Sequence, residues 1–82
     1  MKVVLLPQAQ RDLDGILDPL YSRVVRRLRL LERTPAMGAS MVGPFIGFRS
    51  TVVGMFRIVY RVFEPQRVEV VFIRHCRRTP PA

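Results

Sequence analysis

The run from Phe48 to Phe63, FRSTVVGMFRIVYRVF, constrains the fold more than any other part of the chain. Two segments alternate between apolar and polar residues with the period of a β-strand, and a glycine stands between them. A three-residue loop at Val53, Gly54 and Met55 pairs Val52 with Phe56, Ser50 with Ile58, and Phe48 with Tyr60. That face is apolar, and the other carries Arg49, Thr51, Arg57, Val59 and Arg61. Strand side chains alternate with period two, so a slip of one residue would exchange the two faces. The expectation is a hairpin with one packed face and one face lined by arginine.

The next segment, VEVVFIRHCRR, extends the same sheet. In the register of its neighbour, Val68, Val70 and Phe72 point to the core, while Val71, Ile73 and His75 share the face of Arg57. Glu64 to Arg67 form the intervening turn. At the other end, Lys2 to Leu6 is a short strand closed by Pro7, which suits a first helical turn because its missing N–H would be unpaired there. Ala9, Leu13, Ile16 and Leu17 recur at helical spacing, and Asp18 before Pro19 predicts that this helix stops near Leu17. A second helix buries Tyr21, Val24, Val25, Leu28 and Leu31 and turns Arg23, Arg26, Arg27 and Arg33 to solvent. Pro35, Gly38, Gly43 and Pro44 mark residues 34–44 as a loop. The predicted architecture is α+β, in the order β-α-α-β-β-β. A helical hairpin covers a mainly antiparallel four-stranded sheet within a single domain of residues 1–82, and residues 79–82 form a mobile tail.

Charge narrows the partners. The 82 residues hold 14 Lys and Arg against six Asp and Glu, a formal charge of +8, which favours association with nucleic acid or an acidic protein. An arginine-rich genome is the plain alternative for part of that excess. One cysteine excludes an internal disulfide and a thiolate metal cluster within the chain. No apolar run reaches the roughly 20 residues that cross a bilayer, and a cytoplasmic location without membrane contact is expected.

The chemical inventory is short: one His, one Cys, no evident carboxylate pair, no metal-ligand spacing and no glycine loop that would cradle a phosphate. Neither metal nor cofactor is expected. Arginines bind phosphate bidentately and stabilise the charge that develops when a ribose 2′-hydroxyl attacks its phosphodiester. His75 is the one side chain whose ordinary pKa lies near neutrality, hence a candidate acid or base; the competing assignment is a structural hydrogen bond at a strand end. Cys76 has basic neighbours but no second base to complete a nucleophilic site. Tyr60 and Tyr21 fall on apolar stripes and are assigned to the core. Phe48, Phe56 and Phe72 also fall on the apolar face, which leaves Phe63 as the aromatic platform beside the arginines.

With these elements in this order, the chain resembles the RelE/ParE superfamily of type II toxin–antitoxin toxins. The resemblance rests on LLPQAQRDLDGI after a first strand, a second helix running into LLERTP, then GFRSTVVGMFRIVYRV and VEVVFIRHCRR. It implies the same fold and a cognate antitoxin partner. Superfamily members divide by target. RelE-like toxins cleave messenger RNA on the ribosome; alignment of the glycine turns assigns Arg49 and Arg57 to the scissile phosphate and Arg77 or Arg78 to the terminal basic position, with His75 for proton transfer and Arg61 as a substrate contact. ParE-like toxins poison DNA gyrase and are not nucleases. HisCysArgArg at residues 75–78 is similar to the ending of that branch, and ThrProProAla lacks the terminal aromatic of many RelE-like enzymes. The first expectation is a metal-independent, ribosome-associated endoribonuclease, the alternative a gyrase poison, and the third a non-toxic nucleic-acid-binding module.

Overall fold

The computed structural model describes residues 1–63 and 67–75. Of the expected turn at 64–67, residues 64–66 lie outside the described residues, as do the tail, Cys76, Arg77 and Arg78, whereas Arg67 belongs to a strand and not to the turn. Strand β1 (Lys2–Leu5) leads into helix α1 (Pro7–Asp14), with Pro7 in its first turn. α1 ends at Gly15, whose N–H donates to the Asp12 carbonyl at 3.2 Å, while the Ile16 N–H donates to that of Leu13 at 3.0 Å. This is earlier than Leu17, which is 81% exposed. Helix α2 (Leu20–Arg33) follows and buries Val24, Leu28 and Leu31. The side chain of Asp18 closes its first turn, accepting from the Ser22 N–H at 3.0 Å and the Ser22 hydroxyl at 2.6 Å. Those hydrogen bonds hold the Asp18 carboxyl below its ordinary pKa. Tyr21 does not join the buried stripe, being 39% exposed.

Residues 34–44 are more ordered than a loop. They hold the 3₁₀ turn Pro35–Met37, strand β2 (Ala39–Ser40) and the start of a second 3₁₀ turn, Gly43–Phe45. Strands β3 (Arg49–Val53), β4 (Phe56–Phe63) and β5 (Arg67–His75) complete a sheet of five strands, not four, in the order β1-β5-β4-β3-β2. β1 runs parallel to β5 and the other pairings are antiparallel. The α+β architecture is the expected one, with β2 added as a short edge strand.

Both helices pack on one face of the sheet. Ala9, Leu13, Ile16, Val24, Leu28 and Leu31 meet Val53, Ile58, Tyr60, Val68, Val70 and Ile73 in one core. β5 outruns β1, so its backbone would lose a partner beyond Val70. α1 supplies one: the Asp12 carboxylate accepts from the Ile73 N–H at 2.9 Å.

Two local features correct the expected faces. The β3–β4 loop has two residues, Gly54 and Met55, so Val53 pairs with Phe56, Thr51 with Ile58 and Arg49 with Tyr60. Gly54 has φ +58° and is the only one of the two with positive φ, the sign pattern of a two-residue II′ turn, whose twist suits the flanking strands. Each β3 side chain is therefore on the face opposite to the one expected. Arg49 and Thr51 lie on the helix-covered side, where Arg27 donates to the Thr51 hydroxyl and, at 3.2 Å, to the Val52 carbonyl. Arg27 thus ties α2 to β3 and is not simply solvated. The second feature is a β-bulge: Val59 pairs with Phe72 but Tyr60 with Val70, which leaves Val71 as the extra residue. Beyond the bulge the alternation of β5 reverses. Ile73 joins the core, and Phe72 and Arg74 turn to the uncovered face.

Candidate functional site

The uncovered face is built on β4, where Arg57, Val59, Arg61 and Phe63 point away from the helices. β5 contributes Arg67, Glu69, Phe72 and Arg74 to it, and the segment before β3 contributes Phe45 and Phe48. Arg57 and Arg74 are direct cross-strand neighbours, and both are exposed. Like charges facing each other across a sheet repel, so this pair favours an anionic group placed between the two guanidiniums.

Arg61, Arg67 and Arg74 are held by aromatic rings. The Arg61 guanidinium lies 5.0 Å from the Phe48 ring centroid and 4.7 Å from that of Phe63. Arg67 covers Phe63 at 4.9 Å and Arg74 covers Phe72 at 4.5 Å. Phe45 meets Phe48 and Phe72 edge-on, with centroids 6.0 and 5.8 Å apart. Val59, beside Phe72 in register, is 1% exposed, so the face has an apolar layer of its own beneath the charges. A guanidinium stacked on a ring has lost rotamer freedom already and keeps its N–H edges for a carboxylate or phosphate. Apolar floor, fixed arginines and an unbalanced Arg57–Arg74 pair together make a surface for an anionic partner.

Three aromatic assignments change as a result. Phe48 and Phe72 stand beside the arginines, Phe45 joins them, and Phe56 alone of the three expected core rings stays on the covered side. Glu69 is the acid on the uncovered face among the described residues; its carboxylate is ion-paired with Arg67 at 3.0 Å.

Of the expected site residues, Arg57 and Arg61 lie on the uncovered face, 49 and 75 do not, and 77 and 78 are outside the described residues. Arg49 points under the sheet, where its Nη1 donates to the carbonyls of Gly38 at 2.6 Å and Ala36 at 3.4 Å. Next to it the Tyr60 hydroxyl donates to the Pro35 carbonyl at 2.8 Å and accepts from the Gly38 N–H at 2.9 Å. Tyr60 is fully buried, as its alternation predicts. His75 pairs with Phe56 and stacks edge-on against it with centroids 5.3 Å apart. Its Nδ1 is buried and has no hydrogen-bond partner among the described residues. The bulge moved it away from Arg57. Sequence reasoning missed Arg67, Arg74 and Phe45, and the signal available was the unbroken apolar run Val70–Ile73, which strict alternation does not allow.

The family model described as the ParE toxin of the type II toxin–antitoxin system parDE matches residues 3–80. This chain belongs to the ParE toxin family. No curated protein sequence matches it significantly. Among solved structures, this ParE-family chain is similar to the RelBE2 toxin–antitoxin complex of Mycobacterium tuberculosis, with a TM-score of 0.81 at 25% identity over 89% of this chain and 94% of the other. The chromosomal ParDE system of P. aeruginosa matches with a TM-score of 0.72 at 19% identity, over 92% and 95% of the two chains. The intact E. coli RelBE complex matches at 0.73 and 14% identity, over 87% and 90%. The last two likenesses concern the fold alone.

Proposed function

We propose that this ParE-family toxin acts by binding rather than by cleaving RNA, that its target is DNA gyrase, and that the uncovered face makes the contact. The observation that carries this is the position of His75. RNA cleavage by 2′-hydroxyl attack requires one group to take a proton and another to deliver one. His75 lies under the sheet against Phe56. Among the described residues, the uncovered face offers a single carboxylate, Glu69, already ion-paired with Arg67. Arg57, Arg61, Arg67 and Arg74 can hold an anion, but a guanidinium only donates hydrogen bonds and offers no acceptor with which to take up a proton.

The aromatic floor supports the same conclusion. Protein interfaces concentrate binding energy in arginines and aromatic side chains set in packed surroundings, as Arg61 is between Phe48 and Phe63. The solved relatives are toxin–antitoxin complexes, and a cognate antitoxin that covers this face would compete with the target for the same arginines. The test is a supercoiling assay with purified gyrase and the full-length chain. Inhibition is expected, and Arg61→Ala should raise the concentration required by more than about tenfold, since interface hot spots cost about 2 kcal/mol or more. Unimpaired supercoiling in the presence of the chain would sink the proposal.

A further inference from the structure

The helix layer carries a second basic surface of different chemistry. Taking about 100° per residue along α2, Arg29, Arg33, Arg26 and Arg23 follow one another round an arc of about 120°, centred opposite the buried stripe of Val24, Leu28 and Leu31. All four are exposed. The ion pair found among the described residues joins Arg67 to Glu69 on the other side of the molecule, and neither Asp18 nor Glu32, the acids nearest the arc, pairs with any of these arginines. Between them lie shallow clefts, one of about 480 Å³ lined by Arg26, Arg29, Leu30, Glu32 and Arg33 and one of about 260 Å³ lined by Arg23, Arg26, Arg27, Leu30 and Val53.

We infer that this arc is a docking surface for the phosphate backbone of duplex DNA. From Arg23 to Arg33 the helix is about 15 Å long, and that length of duplex presents about nine phosphates. The arc spreads charge to both flanks of the helix, as the two phosphate walls of a major groove about 12 Å wide require; the corresponding groove of duplex RNA is too narrow to admit it. An acidic protein fits less well, because the arc itself holds no aromatic side chain and Leu30 within it is half-buried. Tyr21, the exposed aromatic residue of α2, stands at one margin, where it lines a cleft of about 280 Å³ with Arg26 and Arg29. The sheet face combines arginine with phenylalanine, whereas the helix face offers arginine almost alone. The two lie on opposite layers, so this inference stands independently of the gyrase proposal.

The experiment is anisotropy of a labelled duplex of about two helical turns with the full-length chain, between roughly 50 and 200 mM salt. Four phosphate contacts predict a slope of log K against log salt at least as steep as about −3.6, and R26Q/R29Q/R33Q should make it shallower by about 2.7. Should that triple variant lose its circular dichroism spectrum, R29Q/R33Q decides instead, with an expected change of about 1.8. An unchanged slope would overturn the inference, as would an equal loss in R57Q/R61Q, or binding to polyglutamate or duplex RNA as tight as to the DNA.

Discussion

Tyr60 shows how a single side chain organises the edge of the sheet. Its hydroxyl bridges the Pro35 carbonyl and the Gly38 N–H, Arg49 binds the carbonyls of the same turn, and a Cβ at residue 38 would come within 2.6 Å of both the Ser50 carbonyl and the Tyr60 hydroxyl. Tyr60→Phe leaves the Gly38 N–H buried without a partner, so it should lower the unfolding free energy by about 1–3 kcal/mol, measurable by urea titration. Burial pushes the Tyr60 phenol above its ordinary value of 10.0, against the opposing pull of the Gly38 N–H and the Arg49 guanidinium. Stability from the neutral phenol is therefore complete below pH 10.0 and lost as pH rises through the higher folded value. Alkaline thermal melts should show this fall in the native protein, and Tyr60→Phe should show less of it. That Tyr60 is core was legible from its alternation with Ile58 and Val62. That Arg49 serves the same turn was not, because its face depends on a loop one residue shorter than expected.

At the scale of elements, both corrections come from single-residue features that alternation does not encode. The order of strands and helices follows from period and punctuation: Pro7 opens α1, and Arg23, Arg26, Arg29 and Arg33 of α2 fall opposite Val24, Leu28 and Leu31. Loop length and bulge position depend on tertiary fit. Gly54 sits where a Cβ would be 2.8 Å from Leu20 Cδ2, so the hairpin tip presses against α2, and a two-residue turn brings Val53 into the core. The run Ile58-Val59-Tyr60 facing Val70–Ile73 is the trace of a bulge with both faces packed, and it is visible only once the two strands are aligned. Gly54→Ala combines a positive φ with that close approach and should destabilise the protein by about 1–3 kcal/mol, read as a lower urea midpoint with an unchanged slope. A destabilisation within error would mean that the turn relaxes freely and does not fix the register.

For the whole molecule, these small features decide which chemistry the sheet can offer. The fold, the helical cover and the arginine-bearing face all follow from sequence pattern, and Arg57 and Arg61 were legible as members of that face. With the observed register, His75 and Arg49 belong to the covered layer, while Phe45, Phe48, Phe72, Arg67 and Arg74 assemble around Arg57 and Arg61 into a surface suited to holding an anionic partner. The central claim is that this surface binds and does not cut. The most direct measurement is primer extension on cellular messenger RNA after brief induction of the full-length chain without antitoxin, beside an Arg57→Ala control. The account predicts growth arrest with uncut messenger RNA; discrete cuts within translated regions that vanish in Arg57→Ala would contradict it.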